Sequence, residues 1–151
     1  MTDILSEGKS SVLYRRLKKE KLICSTIDCY ITATTDPGLI ILEGKINQGH
    51  TIEEAESEFW NIIDELQHNE IQDHTWEKHM NKNESAYLFS QLGVINQALN
   101  LSYAEWLGNP NLVFNELDNY KNLTKDQIQN SFKKYFRKER CCKLYYRSAQ
   151  S

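Results

Sequence analysis

The sequence predicts an α+β domain: an antiparallel sheet with helices packed on one face. Three observations carry that prediction. Two stretches rich in β-branched and aromatic residues flank an Asp-Pro-Gly turn between residues 23 and 47. Several stretches with apolar residues at helical spacing precede and follow them. A short apolar run, CCKLYYR at 141–147, closes the pattern and reads as a third strand. A small sheet of that kind has one apolar face, which needs the helices as cover.

The elements follow in order. SSVLYRRLKKEKLI reads as a helix that Ser10 or Ser11 can cap, with Val12, Leu13, Leu17 and the Lys21 stem near one stripe. LICSTIDCYITA is a strand. TTDPGL bends the chain, because proline fixes one φ and glycine frees the next. LIILEGKIN is the hairpin partner. Thr51 and Glu54 form a capping box ahead of Ala55, Phe59, Ile62, Ile63 and Leu66. Four more helices fall on DHTWEKHMNKNESAYLFSQ, GVINQALNLSYAEWLG, NPNLVFNELDNYKN and TKDQIQNSFKKYFR, the last opened by a threonine cap. Trp60, Trp76 and Trp106 read as core or inter-helix packing. There is no internal repeat or boundary, so residues 1–151 read as a single domain, and the length suffices for a real core.

Composition narrows the function classes. Hydrophobic residues make up 40% and charged residues 26%, and the net charge is -3. That balance gives no electrostatic case for nucleic acid, and RRLKKEK reads as one wetted helix face. No apolar run is long enough for a membrane span. MTDILSEGKSS lacks the charged and apolar regions of a signal peptide, which leaves a periplasmic or a cytoplasmic parent open. SEGKSS lacks the upstream glycine of a phosphate-binding loop. Cys24, Cys29, Cys141 and Cys142 form no Cys-x-x-Cys pair; each adjacent couple falls on opposite faces of a strand, so buried free thiols are expected.

The strongest metal candidate is DHTWEKHM. Two imidazoles on one helix must lie four apart to share a metal. His74 and His79 are five apart and diverge by roughly 140°. Lys78 stands where the second ligand would be, and its ammonium repels a cation. No catalytic and no metal-ligating residue is assigned in this chain. A solvated, charged helix face is the expectation for this stretch.

Taken in order, LSEGKSSVLYRRLKKEKLICSTIDCYI, TTDPGLIILEGKINQGHTIEEAESEF and LNLSYAEWLGNPNLVFNELDNYKNLTKDQIQNSFKKYF resemble the pitrilysin/insulinase metallopeptidases. That family includes the mitochondrial processing peptidases, and the likeness is greatest to its shorter bacterial members. The resemblance covers nearly the whole chain. It implies a LuxS/mitochondrial-processing-peptidase-like fold, in which two homologous domains close like halves of a shell. One half carries Zn2+ on His-x-x-Glu-His plus a downstream glutamate; the other carries no metal. Lacking that motif, this chain resembles the C-terminal portion of the metal-free, inverzincin-type domain, with further strands expected upstream. It implies no cofactor in this chain, with zinc in the catalytic domain of the parent or partner. The expected partners are a homologous zinc-bearing peptidase domain and peptide substrates, with self-association through an unpaired sheet edge.

In many relatives the metal-free domain offers an arginine and a tyrosine to the substrate. By position these fall on Lys18 and Ser25. Lysine keeps the charge but loses the planar fork, and serine is too short for the tyrosine's reach. Two functions of different classes follow: a non-catalytic, substrate-enclosing domain of a zinc-dependent endopeptidase, and a scaffold or assembly subunit without peptidase activity. A free-standing peptide-binding module is a third.

Overall fold

The computed structural model describes residues 1–32 and 34–147. The chain forms two compact units: one from residues 1–69 and 128–151, the other from 70–127. In the first unit, helix α1 (Thr2–Ser6) precedes a π-helix (Tyr14–Glu20), strands β1 (Cys24–Ile31) and β2 (Ile40–Ile46), and helix α2 (Ile52–His68). The second unit holds α3 (Asp73–Ser90), α4 (Val94–Trp106) and α5 (Leu112–Lys121). Helix α6 (Lys125–Tyr135) contributes to the first unit from Ile128 onward, and a 3-10 turn (Lys138–Arg140) follows it.

β1 and β2 form an antiparallel hairpin. The Asp-Pro-Gly bend is a longer loop than a tight turn: Thr32 N–H donates to Leu39 O, and Thr34 Oγ1 donates to Asp36 O. Gly38 is required there, because a Cβ would lie 2.8 Å from the Thr32 carbonyl oxygen.

One irregularity reshapes the sheet. Cys24 sits opposite Ile46 and Thr26 opposite Lys45, so Ser25 is the extra residue of a β-bulge. The bulge shifts the side-chain alternation by one. Cys24, Ile27 and Cys29 therefore share a face with Ile40, Leu42 and Ile46, whereas unbroken alternation predicts opposite faces for the two cysteines. That face carries the core: Leu5 of α1, Leu13 and Leu17, then Phe59, Ile62 and Ile63 of α2, and Phe132 and Phe136. Thr26, Asp28 and Tyr30 on the other face are exposed. The helices of this unit thus cover one face of the sheet, as an α+β fold requires.

Hydrogen bonds pin the layers. Ser6 Oγ donates to Cys29 O at 2.7 Å, and Gln67 Nε2 donates to the carbonyls of Phe132 and Phe136. Both predicted caps form: Thr51 with Glu54 at α2, and Thr124 with Gln127 at α6. Ser11 is fully buried and its hydroxyl has no partner, so it does not serve as the expected side-chain cap.

The run 141–147 corrects the third-strand expectation. It makes no strand pairing among the described residues. Lys143 and Tyr145 bond to Glu56, and Arg147 pairs with Glu53. The period of two is real, but it aims alternate side chains at carboxylates of α2 instead of completing a ladder. Cys141 and Cys142 are consequently exposed, not buried as expected, whereas Cys24 and Cys29 are buried.

In the second unit α3 packs on α5, where Tyr87 Oη donates to Val113 O and Lys121 pairs with Glu84. Its buried residues are few: Ile71, His79, Ala104 and Val113. Trp106 is 65% exposed, against the packing role expected of it, and touches Tyr103. Phe89, Leu92, Val94 and Ile95 are exposed as well. No described helix is long and apolar enough to cross a membrane.

Candidate functional site

The two residues singled out as substrate-facing, Lys18 and Ser25, lie on either side of a sharp helix-to-strand turn. The helix before it is wound as a π-helix, with Lys21 N–H bonded to Arg16 O. Such a ladder links residues five apart, which an α-helix would spread by about 140°. Arg16 and Lys21 are therefore able to reach one carboxylate together.

That carboxylate is Glu58 of α2, which is only 5% exposed. Arg16 Nε lies 3.1 Å from Glu58 Oε1 and Lys21 Nζ 2.5 Å from Oε2. The rest of the Arg16 fork is bidentate to Glu65, at 2.9 and 3.1 Å. Burial pushes the Glu58 carboxyl up, but hydrogen bonds from Lys21 and Arg16 outweigh it and hold the group below its ordinary value. The bonds that Arg16 donates to Glu65 raise the guanidinium. The network clamps the π-helix to α2 and fixes where the following turn begins. Sequence reasoning missed it; the five-residue spacing of two cations was the available signal.

The chain reverses at Leu22, whose φ of 54° is left-handed. Asn47 closes the turn: its side chain donates to Leu22 O at 2.6 Å and its N–H to Ile23 O at 2.8 Å. Beyond it, Ser25 occupies the bulge, and its hydroxyl donates to Lys45 O. Lys18 is half-buried, with Nζ 5.2 Å from the centre of the Tyr14 ring. Lys18 forms no ion pair with an acidic side chain among the described residues.

The histidines separate as their spacing predicts, with one correction. His74, Glu77 and Lys78 are exposed, but His79 is buried within the second unit and is not part of a solvated face. Among the described residues no group of three or more His, Cys, Asp or Glu side chains could hold a metal ion. The donor set at 74–79 does not fit zinc: His74 is exposed while His79 is buried.

Comparison with known proteins places these features. No curated protein sequence matches the chain. Solved structures share the fold, among them the following three. A protease from Helicobacter pylori matches with a TM-score of 0.83 at 16% identity, over 90% of this chain and 33% of that one. A candidate zinc protease from Bordetella pertussis Tohama I gives 0.76 at 22%, over 89% and 73%. The inactive peptidase domain of a candidate zinc protease from Bordetella parapertussis gives 0.82 at 19%, over 99% and 81%. This chain thus spans about a third of the Helicobacter protein. The family described as the peptidase M16 inactive domain matches residues 1–83, a span that contains the π-helix, the hairpin and α2. The chain belongs to the peptidase M16 inactive-domain family.

Proposed function

We propose that this chain is the C-terminal portion of the metal-free half of a zinc-dependent endopeptidase, and that it encloses peptide substrate against a homologous zinc-bearing half. The family match over residues 1–83 is the observation that carries the reading. On this reading the zinc belongs to the other half, on a His-x-x-Glu-His motif. Lys18 and Ser25 are the residues of this chain turned to the peptide, Lys18 as a positive charge and Ser25 as a short hydroxyl at the bulge. A clamped π-helix supports such a role, since π-turns recur at functional sites.

The test is peptide capture by a silent pair. The zinc-bearing half, with its motif glutamate changed to glutamine, is mixed with this chain and titrated with a fluorescent peptide. Affinity is expected to exceed that of either half alone by about tenfold or more, through enclosure of the ligand. Lys18→Ala should reduce the gain. Assembly of the two halves without any gain in peptide affinity would instead favour a scaffold subunit.

A further inference from the structure

Helix α4 lies beyond residues 1–83, and the proposed function makes no use of it. A surface helix ordinarily turns its apolar stripe to its own core and its polar residues to water. Within the second unit α4 does the reverse. Its buried residue is Ala104, and half-buried Asn100 lies on the same side. At about 100° per residue, Ile95, Leu99, Ser102, Tyr103 and Trp106 fall in one stripe about 100° wide, on the side away from Ala104. The four large ones are between 54% and 76% exposed. Phe89 and Leu92, just before the helix, are 72% and 77% exposed.

The extent of this surface is that of an interface. At about 200 Å² for a large apolar side chain, the six present roughly 800 Å². The largest apolar patch on a typical monomer is about 300–600 Å². One partner in a stable, specific interface contributes about 800 Å². Charge then narrows the occupant. Residues 85–115 hold one charged side chain, Glu105, so a charged partner or an anionic lipid surface finds nothing there to pair with.

The spacing selects a second copy. Ile95, Leu99, Ser102 and Trp106 follow the 4-3-4 spacing of a coiled-coil seam. Such a seam can run antiparallel against itself, about a two-fold axis midway between Leu99 and Ser102. Leu99 then meets the small Ser102 of the other copy, and Trp106 meets Ile95, each contact occurring twice. Glu105 falls opposite Asn96, so the two carboxylates stay apart. We infer that α4 is the seam of a two-fold dimer, a second copy of this chain laying its own α4 antiparallel across it. Neither zinc nor Lys18 and Ser25 enters, so the dimer stands apart from the peptidase reading.

The experiment is sedimentation equilibrium of the chain over a wide concentration range, with circular dichroism to check folding. The expected result is a monomer–dimer equilibrium that stops at two copies and changes little with salt. Leu99→Glu puts a carboxylate into the seam and should weaken dimerisation about tenfold or more at unchanged helix content. Ser102→Arg should do the same. Mixed together, the two variants should dimerise again, because the new charges face each other across the axis. A chain that stays monomeric would overturn the proposal, as would growth beyond two copies. Self-association that Leu99→Glu leaves intact would place the contact elsewhere, at the sheet edge for instance, and overturn it too. So would mixed variants that fold but fail to associate. Uptake of the monomer by neutral lipid vesicles, or its capture by a zinc-bearing half, would do the same if Leu99→Glu abolished it, since the stripe would then have another occupant.

Discussion

Glu58 ties the π-helix to α2 within the first unit. It is buried, and two cations from the π-helix meet it. Removing one partner of such a pair leaves the others uncompensated, at about 3–5 kcal/mol when all are buried. Arg16 and Lys21 reach solvent, with side chains 23% and 47% exposed, so Glu58→Gln should cost less, about 2 kcal/mol, by chemical denaturation. The pH dependence has a definite sign. The folded-state value is held below the unfolded one, so the contribution is complete above about pH 4.3 and is lost as pH falls through the folded value. Glu58→Gln should flatten that acid branch. Cysteine reactivity is a second check at this scale. Burial, with Asp28 beside it, pushes the Cys29 thiol up to about 12, and burial also raises Cys24. A thiol reagent at neutral pH should therefore modify Cys141 and Cys142 quickly, and Cys24 and Cys29 only on unfolding. Ser11 offers a third: its buried hydroxyl has no partner, so Ser11→Ala should be neutral or stabilising by up to about 1 kcal/mol in thermal unfolding.

At the scale of elements, the capping box at α2 is an energetic as well as a geometric feature. Thr51→Ala should lower stability by about 1 kcal/mol, read as a lower denaturation midpoint without a change in slope. That box was legible because it is local: a threonine, a glutamate three residues on, and an apolar period after them. The hairpin and the later helices were legible for the same reason. What was not legible depends on groups distant in the chain. The π-winding follows from two cations sharing a carboxylate that lies 42 and 37 residues away. The bulge at Ser25 reverses the face of Cys24 without altering composition at all. The run 141–147 has strand periodicity, yet Glu56 and Glu53 of α2 take its alternate side chains. At the candidate site, Lys18 and Ser25 were assigned by position from the family resemblance, while the clamp behind them, which joins residues distant in the chain, was not legible.

For the whole molecule, the proposed function divides labour between two halves of a peptidase. The chain belongs to a family of inactive domains, and its histidines occupy different environments, one buried and one exposed. A zinc hydrolase needs its metal to activate water, and among the described residues no group of three or more His, Cys, Asp or Glu side chains could hold one. On the proposed reading, the chain's contribution is enclosure and positioning of peptide, which helps a reaction carried out elsewhere. The most direct measurement is the cleavage rate of a fluorogenic peptide library in three samples: this chain, a zinc-bearing His-x-x-Glu-His half, and both together. The account predicts no cleavage by this chain, little by the zinc half, and chelator-sensitive cleavage by the pair that falls when Lys18 is changed to alanine. Chelator-sensitive cleavage by the pure chain, abolished by His74→Ala or His79→Ala, would contradict it.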